Sequence, residues 1–327
     1  MRISVLMIAW NQREDLARCL PSLDAQTCRD FEAILVDNGS TDGSPSYVRE
    51  TFPRVTLVEA GKNLGFAGAN NLAAEKAGGD LLFFVNTDTE LAPDLLAELE
   101  RAARLYPDYD LFCPQMLNLY DRRAVDCKGM RFNPSLRAEM IGIGRPTDPF
   151  EKPFEVFGPT GGAMALRRAV YEKIGLFDAA FFFNNEDVDF ALRAFGAGFR
   201  TLYAPTAKVY HKRSPFEARQ PDAAMYYIQR NFVLAAYKNV PLPLWLTHGP
   251  RHLAYNGWQF LKWARRGKAA LWLKAKWDAL RLMPSLARTP APAGRLKAVL
   301  GKSVLGPAAR PAAALSDETA TSRTGNR

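Results

Sequence analysis

Residues 33–44 read AILVDNGSTDGS. Four apolar residues, Ala33 to Val36, fit a strand buried on both faces, and everything after them is polar or glycine. Such a break marks the carboxyl end of a strand in a parallel sheet, the edge over which open α/β sheets bind ligands. The pattern repeats along the first 120 residues. Ile3 to Ala9 is an apolar run that ends on Trp10-Asn11, Val55 to Val58 is a third run, and Leu81 to Val85 ends on Asn86-Thr87-Asp88. Between the runs lie helical patterns at Arg13 to Gln26, where Leu16, Leu20 and Leu23 share a face, and at Ser46 to Thr51, Phe66 to Ala77 and Pro93 to Leu105. This alternation predicts an α/β fold, a mostly parallel central sheet flanked by helices.

Further along, residues 121–160 are rich in Arg, Gly and Pro and read as loops or an irregular hairpin over the site. Order is expected to return at Gly161 to Leu166, followed by a helix from Arg167, a second at Glu186 to Phe195, and short strands at Phe199 to Tyr203 and Ala207 to Tyr210. Pro221 to Asn239 reads as a helix. A division follows: 1–240 as the main body, 241–288 as a basic, Trp-rich helical extension, and 289–327 as an Ala/Pro-rich, largely disordered tail.

Composition narrows the function classes. The chain of 327 residues is 48% hydrophobic and 24% charged, which describes a globular body. Its four cysteines, Cys19, Cys28, Cys113 and Cys127, have no CxxC spacing and read as thiols in a reducing compartment. The opening Arg2 to Leu6 is too short an apolar run for a leader, and no stretch reaches the roughly 18 apolar residues of a membrane span. A cytoplasmic protein is expected. The net charge of +9 is uneven: Lys238 to Arg310 carries fourteen Lys and Arg against the single acid Asp278. A basic tail on a mildly acidic body signals an anionic partner.

The polar residues after the apolar runs are the candidate chemistry. Each alone has a plain structural reading: Asp42 or Ser44 as a helix cap, Asn38-Gly39 as a turn. Together they bring carboxylates to one sheet edge. No Gly-rich phosphate loop follows the first strand, where Trp10-Asn11-Gln12-Arg13 stands, which argues against a dinucleotide-binding oxidoreductase. A diphosphate bound without that cradle needs another positive charge, and a divalent cation on a carboxylate supplies one. Asp88 is placed to hold it.

The ordered series ISVLMIAWNQREDLARCLPSL, LVDNGSTDGS, NLGFAGANN, LFFVNTDTEL, GGAMALRRAVYEKIGLFDAAFFFNNEDVDFALRAFGAGFR, AKVYHKRS and RNFVLAAYKN resembles the family 2 glycosyltransferases of the Rossmann-like GT-A fold, especially their rhamnosyltransferase-like branch. The resemblance covers about residues 3–240. It implies an inverting, metal-dependent transfer of a sugar, rhamnose favoured, from a dTDP- or UDP-sugar to a glycan or lipid-linked acceptor in cell-surface glycan assembly. By that resemblance Asp37 meets the nucleobase imide, and Asn11, Asn63, Gly65, Asn70 and Asn86 line the nucleotide. Asp88 and His211 hold Mg²⁺ or Mn²⁺, Gly161 and Gly162 border donor sugar and acceptor, Asp187 is the general base, and Glu186 orients that site. The triplet Asn86-Thr87-Asp88 departs from the family's D-x-D, leaving one anionic ligand there. Phe181-Phe182-Phe183 reads either as an acceptor subsite or as core. Asp189 and Arg193, four apart, read as a helix pair. A nucleotidyltransferase would want a Gly-rich basic loop after the first strand, and a catalytically inactive binding protein would not need Asp37, Asp88, Asp187 and His211 together.

In the basic extension, Ala270, Leu273, Trp277 and Leu280 share one helical face, with Lys274, Asp278 and Arg281 on another. Trp beside Lys and Arg suits an anionic membrane surface, here the inner face of the cell membrane. A helical hairpin packed on the body with a solvated basic face is the other reading. No nucleic-acid motif accompanies the charge.

Overall fold

The computed structural model describes residues 1–212 and 220–308. Arg213 and Ser214 of the AKVYHKRS segment and the stretch from Ser316, expected to be disordered, lie outside the described residues.

Strands β1 (Ile3–Ala9), β2 (Phe31–Asp37), β3 (Val55–Glu59) and β4 (Leu81–Val85) pair in parallel in the order β4-β1-β2-β3. Side chains alternate across them and split the core in two. Val5, Met7 and Phe83 pack under α1 (Arg13–Asp24) and α4 (Leu95–Leu105). Leu6, Ile34 and Phe84 pack under α3 (Gly65–Glu75), while α2 (Ser44–Thr51) lies beside β3. Phe83 and Phe84 are fully buried on opposite faces, each contributing roughly 1.5–3 kcal/mol.

Beyond β4 the sheet is mixed rather than parallel. β6 (Leu111–Asn118) pairs in parallel with β12 (Thr201–His211), but β11 (Ala163–Arg167) runs antiparallel between β4 and β6. Helical crossovers impose the parallel sense on the first four strands; β11 is reached by a long excursion of short strands and is free of that constraint. β5 (Thr89–Leu91) adds to β12, and β7 (Val125–Cys127) adds to β6. The two short strands expected at 199–210 are one strand, β12, whose register shifts between Ala204 and Lys208. The 121–160 region is also more ordered than a loop: it holds β7, the hairpin β8 (Met130–Asn133) with β9 (Arg137–Met140), and β10 (Phe154–Val156), an antiparallel partner of β12.

The remaining helices are α5 (Arg168–Ile174), α6 (Glu186–Ala197), α7 (Pro221–Asn239), α8 (Leu242–Ala264), α9 (Ala269–Leu282) and α10 (Ala293–Val299). One apolar cluster joins α6 through α10 across position 240: Phe132, Phe157, Phe181 and Leu192 pack with Leu234, Ala279, Leu296 and Val299. The expectation of disorder from residue 289 therefore fails through residue 308. Ala291, Leu296 and Val299 are buried, and Gly306–Pro307 forms β13 against β10. Ala/Pro composition suggested an unpacked tail, but these apolar side chains close the third core.

Candidate functional site

Strand order reverses between β1 and β4, so their carboxyl ends diverge and leave a crevice. A cleft of about 870 Å³ occupies it, lined by Trp10, Asn38, Asn63, Gly65, Asn70 and Asn86-Thr87-Asp88 among others. A second cleft of about 680 Å³ is lined by Asp126, Thr160, Gly161, Gly162, Glu186, Asp187 and His211. Phe66, Asn86, Gly161 and Phe183 line both, so the two are halves of one site. Ten of the twelve candidate residues thus come together; Asn11 and Asp37 line neither half.

The loop after β2 explains the first half. Asp37 Oδ2 accepts the Gly39 and Ser40 amides at 3.2 and 3.1 Å, while its Oδ1 is buried with no partner. Asn38 acts as a clasp: Nδ2 donates to Asn63 Oδ1 and the Gly65 carbonyl, and Oδ1 accepts the Leu64 amide at 2.7 Å. Asn11 Oδ1 accepts the Thr41 amide at 2.7 Å, joining the first two strand–helix turns. Asp42 takes the capping role weighed for it, accepting the Arg13 amide at the start of α1 and the Ser44 amide.

Gly65 has φ +73°, and a Cβ there would stand 2.4 Å from the Phe182 carbonyl oxygen. The close approach locks the loop before α3 against residues 181–185. In that segment Phe182 has φ +61°, and the Phe183 amide donates back to the Phe181 carbonyl at 2.7 Å, a γ-turn with positive φ. Asn184 and Asn185 are also left-handed. Such backbone is costly and persists only where its surroundings hold it. Asn231 on α7 does so, its Nδ2 facing the carbonyls of Phe181, Phe183 and Asn184 at 2.6–2.8 Å. The aromatic triplet divides: Phe181 is core, and Phe182 and Phe183 line the cleft.

Pairing of β5 with β12 puts Thr89 opposite His211, which brings Asp88 to the imidazole. His211 Nε2 lies 3.3 Å from Asp88 Oδ1, a charge contact without hydrogen-bond alignment; Nε2 and both Asp88 oxygens are buried and unpartnered. On the other side, His211 Nδ1 is 2.7 Å from Asp126 Oδ2. Burial alone would lower the imidazole pKa, but the two carboxylates outweigh it and push it up to about 9. Among the described residues no group of three or more His, Cys, Asp and Glu side chains forms a metal cage. Three orphaned atoms converging there still suit a divalent cation that takes its other ligands from a bound diphosphate.

Asp187 is held more fully. Its Oδ2 accepts the Gly161 amide at 2.8 Å and the Thr160 hydroxyl at 3.3 Å, and its Oδ1 accepts the Val188 amide at 2.8 Å. Burial raises its pKa despite these donors. Glu186 is raised well above the carboxylate range by burial and then by the Asp187 charge, and its Oε2 is buried without a partner. Asp189, by contrast, belongs to the scaffold: Arg193, Lys238 and Asn239 surround it, as the four-residue spacing to Arg193 suggested.

Asp126 is the site residue sequence reading missed. It lies 85 residues from His211 in the chain, inside a segment read as loops or an irregular hairpin. A carboxylate flanked by the buried Val125 and Cys127 was the available signal.

Comparison with known proteins agrees with this architecture. The family model for glycosyl transferase family 2 matches residues 4–175. The N-acetylglucosaminyl-diphospho-decaprenol L-rhamnosyltransferase of Mycobacterium tuberculosis is 28% identical over 298 residues, 82% of this chain and 91% of that protein. The O-antigen biosynthesis protein RfbC of Myxococcus xanthus is 30% identical over 67% of this chain but only 18% of its own length. In structure, S. aureus TarS superposes with a TM-score of 0.60 at 19% identity, covering 92% of this chain and 50% of TarS. A mannosyltransferase from Pyrobaculum calidifontis, in complex with GDP-Man and Mn²⁺, gives 0.53 at 20% identity over 91% of this chain and 78% of its own. At these identities the structures speak to the fold alone.

Proposed function

The chain belongs to glycosyl transferase family 2, and we propose that it moves a sugar from a nucleotide-diphosphate sugar to an acceptor hydroxyl with inversion at the anomeric carbon. The observation that carries this is the two-part cleft: Asp88 with two orphaned oxygens in one half, the His211 imidazole and a half-buried carboxylate held by three donors in the other, and Asn86 and Gly161 at the seam.

In this reading Asp37 Oδ1 accepts the imide N–H of uracil or thymine, and the loop clasped by Asn38 seats the nucleoside. Asp88 and His211 hold Mg²⁺ or Mn²⁺, which when bound supplies positive charge against the departing diphosphate. Asp126 fixes the imidazole through Nδ1, so that Nε2 faces Asp88. Asp187 takes the proton from the acceptor hydroxyl as its oxygen attacks the face of the sugar opposite the diphosphate. The raised pKa of Asp187 makes it a stronger base than an ordinary aspartate, and general base catalysis of this kind gives about 10²- to 10⁴-fold. Glu186, whose protonated form burial favours, sits beside it and orients that side of the cleft.

The mycobacterial relative, named for an L-rhamnosyltransferase acting on a decaprenol diphosphate, supports rhamnose from a dTDP- or UDP-sugar and a lipid-linked acceptor in cell-surface glycan assembly. Such an acceptor brings the protein to the membrane from the cytoplasmic side. No helix among the described residues is long and apolar enough to cross a bilayer, which favours peripheral contact over a span.

A panel of UDP-, dTDP- and GDP-sugars with Mn²⁺, Mg²⁺ or EDTA and membrane lipid extract tests this. Metal-dependent turnover of one donor, with the product anomer inverted, is expected. Nucleotide binding without turnover of any donor would leave a binding protein instead.

A further inference from the structure

Five large apolar side chains of α8, Leu242, Leu246, Leu253, Trp258 and Leu261, are between 52% and 73% exposed. Steps of four, seven and eight residues keep the four leucines on one side of the helix. On α9, Leu273, Trp277 and Leu280 follow the same rule at i, i+4 and i+7 and are more than half exposed. The neighbouring side of α8 and the opposite side of α9 are used: His252 and Asn256 on α8 and Ala275 and Ala279 on α9 are buried. Two helices joined by the short turn 265–268 therefore present outward faces with apolar character that nothing among the described residues covers. Monomeric proteins rarely leave such a surface without a partner.

Charge identifies the partner. Lys262 sits over the Trp258 ring at 5.4 Å and Arg281 over Trp277 at 4.9 Å, with Arg251, Arg265 and Arg266 also on this hairpin. Two copies of so basic a face repel each other, while an anionic lipid surface attracts it and accepts Leu and Trp side chains at headgroup depth. Residues 309–327 contain one large apolar side chain, Leu315, too little to cover eight.

We infer that the outward faces of α8 and α9 are a docking surface for anionic phospholipid, which inserts leucine and tryptophan below a ring of lysine and arginine. The surface is coupled to the acceptor half of the cleft. Arg137 of β9 lies over the Tyr255 ring of α8 at 4.4 Å, and His252 Nδ1 contacts the Ser135 carbonyl at 3.1 Å. At the other end of β9, Met140 lines the cleft that holds Asp187. One strand of four residues, roughly 10 Å long, thus separates the docking helix from the acceptor half. A lipid-anchored acceptor would meet the base without leaving the interface.

This deepens the membrane part of the proposed function, and its test needs no turnover, so its failure would leave the transfer chemistry standing. The full chain is floated with vesicles of phosphatidylcholine alone or with phosphatidylglycerol, at low and high salt, while tryptophan emission is followed. Binding only to the anionic vesicles, weakened by salt and accompanied by a blue shift, is expected. The double variant Leu253→Gln/Trp277→Gln should bind at least about tenfold more weakly. Arg265→Glu/Arg281→Glu, also on exposed residues, should lose the preference for anionic lipid. Equal binding of wild type and the Leu253/Trp277 variant, or no binding above phosphatidylcholine, would overturn the inference. So would a concentration-dependent dimer that the Leu253/Trp277 variant abolishes, which would make the face an interface between copies.

Discussion

Asp88, buried, and Asp187, half-buried, are both carboxylates at the cleft, and they are held in opposite ways. Asp88 has no hydrogen-bond partner on either oxygen and faces an imidazole with an orphaned nitrogen. Asp187 has three protein donors on its two oxygens. An unpaired buried carboxylate costs more than folding alone would tolerate, so the donor half is built around a charge that arrives with the ligand. The acceptor half is built to keep one carboxylate in place and basic. Binding and chemistry should therefore separate by mutation.

The largest effect is expected at Asp187. Asp187→Asn should lower kcat by about 10²- to 10⁴-fold while nucleotide affinity stays near wild type. A base must be ionised, so the wild-type rate should fall as pH drops through the raised Asp187 pKa, at higher pH than an ordinary aspartate would give. A kcat/KM profile flat down to the usual aspartate range would break the comparison. Next comes Asp126. Asp126→Asn should weaken Mn²⁺ binding, read by electron paramagnetic resonance in the presence of nucleotide, by about 10- to 100-fold. Unchanged metal affinity would reduce the contact between Asp126 and His211 to scaffold. Asp37→Asn replaces the orphaned acceptor with an amide whose donor end can face the imide, and should cost about tenfold in nucleotide affinity.

The smallest effect concerns Glu186, and its sign is distinctive. Its pKa is raised in the folded state, so the protonated form is favoured there, and stability is lost as pH rises above the unfolded value toward the folded one. Glu186→Gln removes that loss. Its melting temperature at neutral pH should exceed wild type by roughly 2–4 °C, with the difference vanishing in acid. A lower melting temperature at neutral pH would mean that Glu186 is ionised and paired.

The donor half was the more legible in sequence for a physical reason. Parallel strands buried on both faces read as unbroken apolar runs, so the ends of β1, β2 and β4 announced Asn11, Asp37 and Asp88 directly. What sequence could not give was which of these face the cleft: Asn11 spends its side-chain oxygen Oδ1 on the turn at Thr41. The other half depends on pairing across long separations. Asp126 acquires meaning only because β7, β6 and β12 lie side by side, and β12 reads as two strands because Pro205-Thr206 interrupts its apolar pattern. Ala291, Leu296 and Val299 sit in an Ala/Pro-rich segment whose composition says disorder, and only the apolar cluster they complete reveals their role.

One titration reaches the central claim most directly. Nucleoside diphosphate with Mn²⁺ is titrated into wild type, Asp88→Asn and Asp187→Asn, and sugar transfer is measured on the same samples. Loss of metal-assisted nucleotide binding in Asp88→Asn, with binding kept and transfer lost in Asp187→Asn, is the expected result. Binding kept by Asp88→Asn, or lost by Asp187→Asn, would contradict the division of the cleft into a half that binds and a half that reacts.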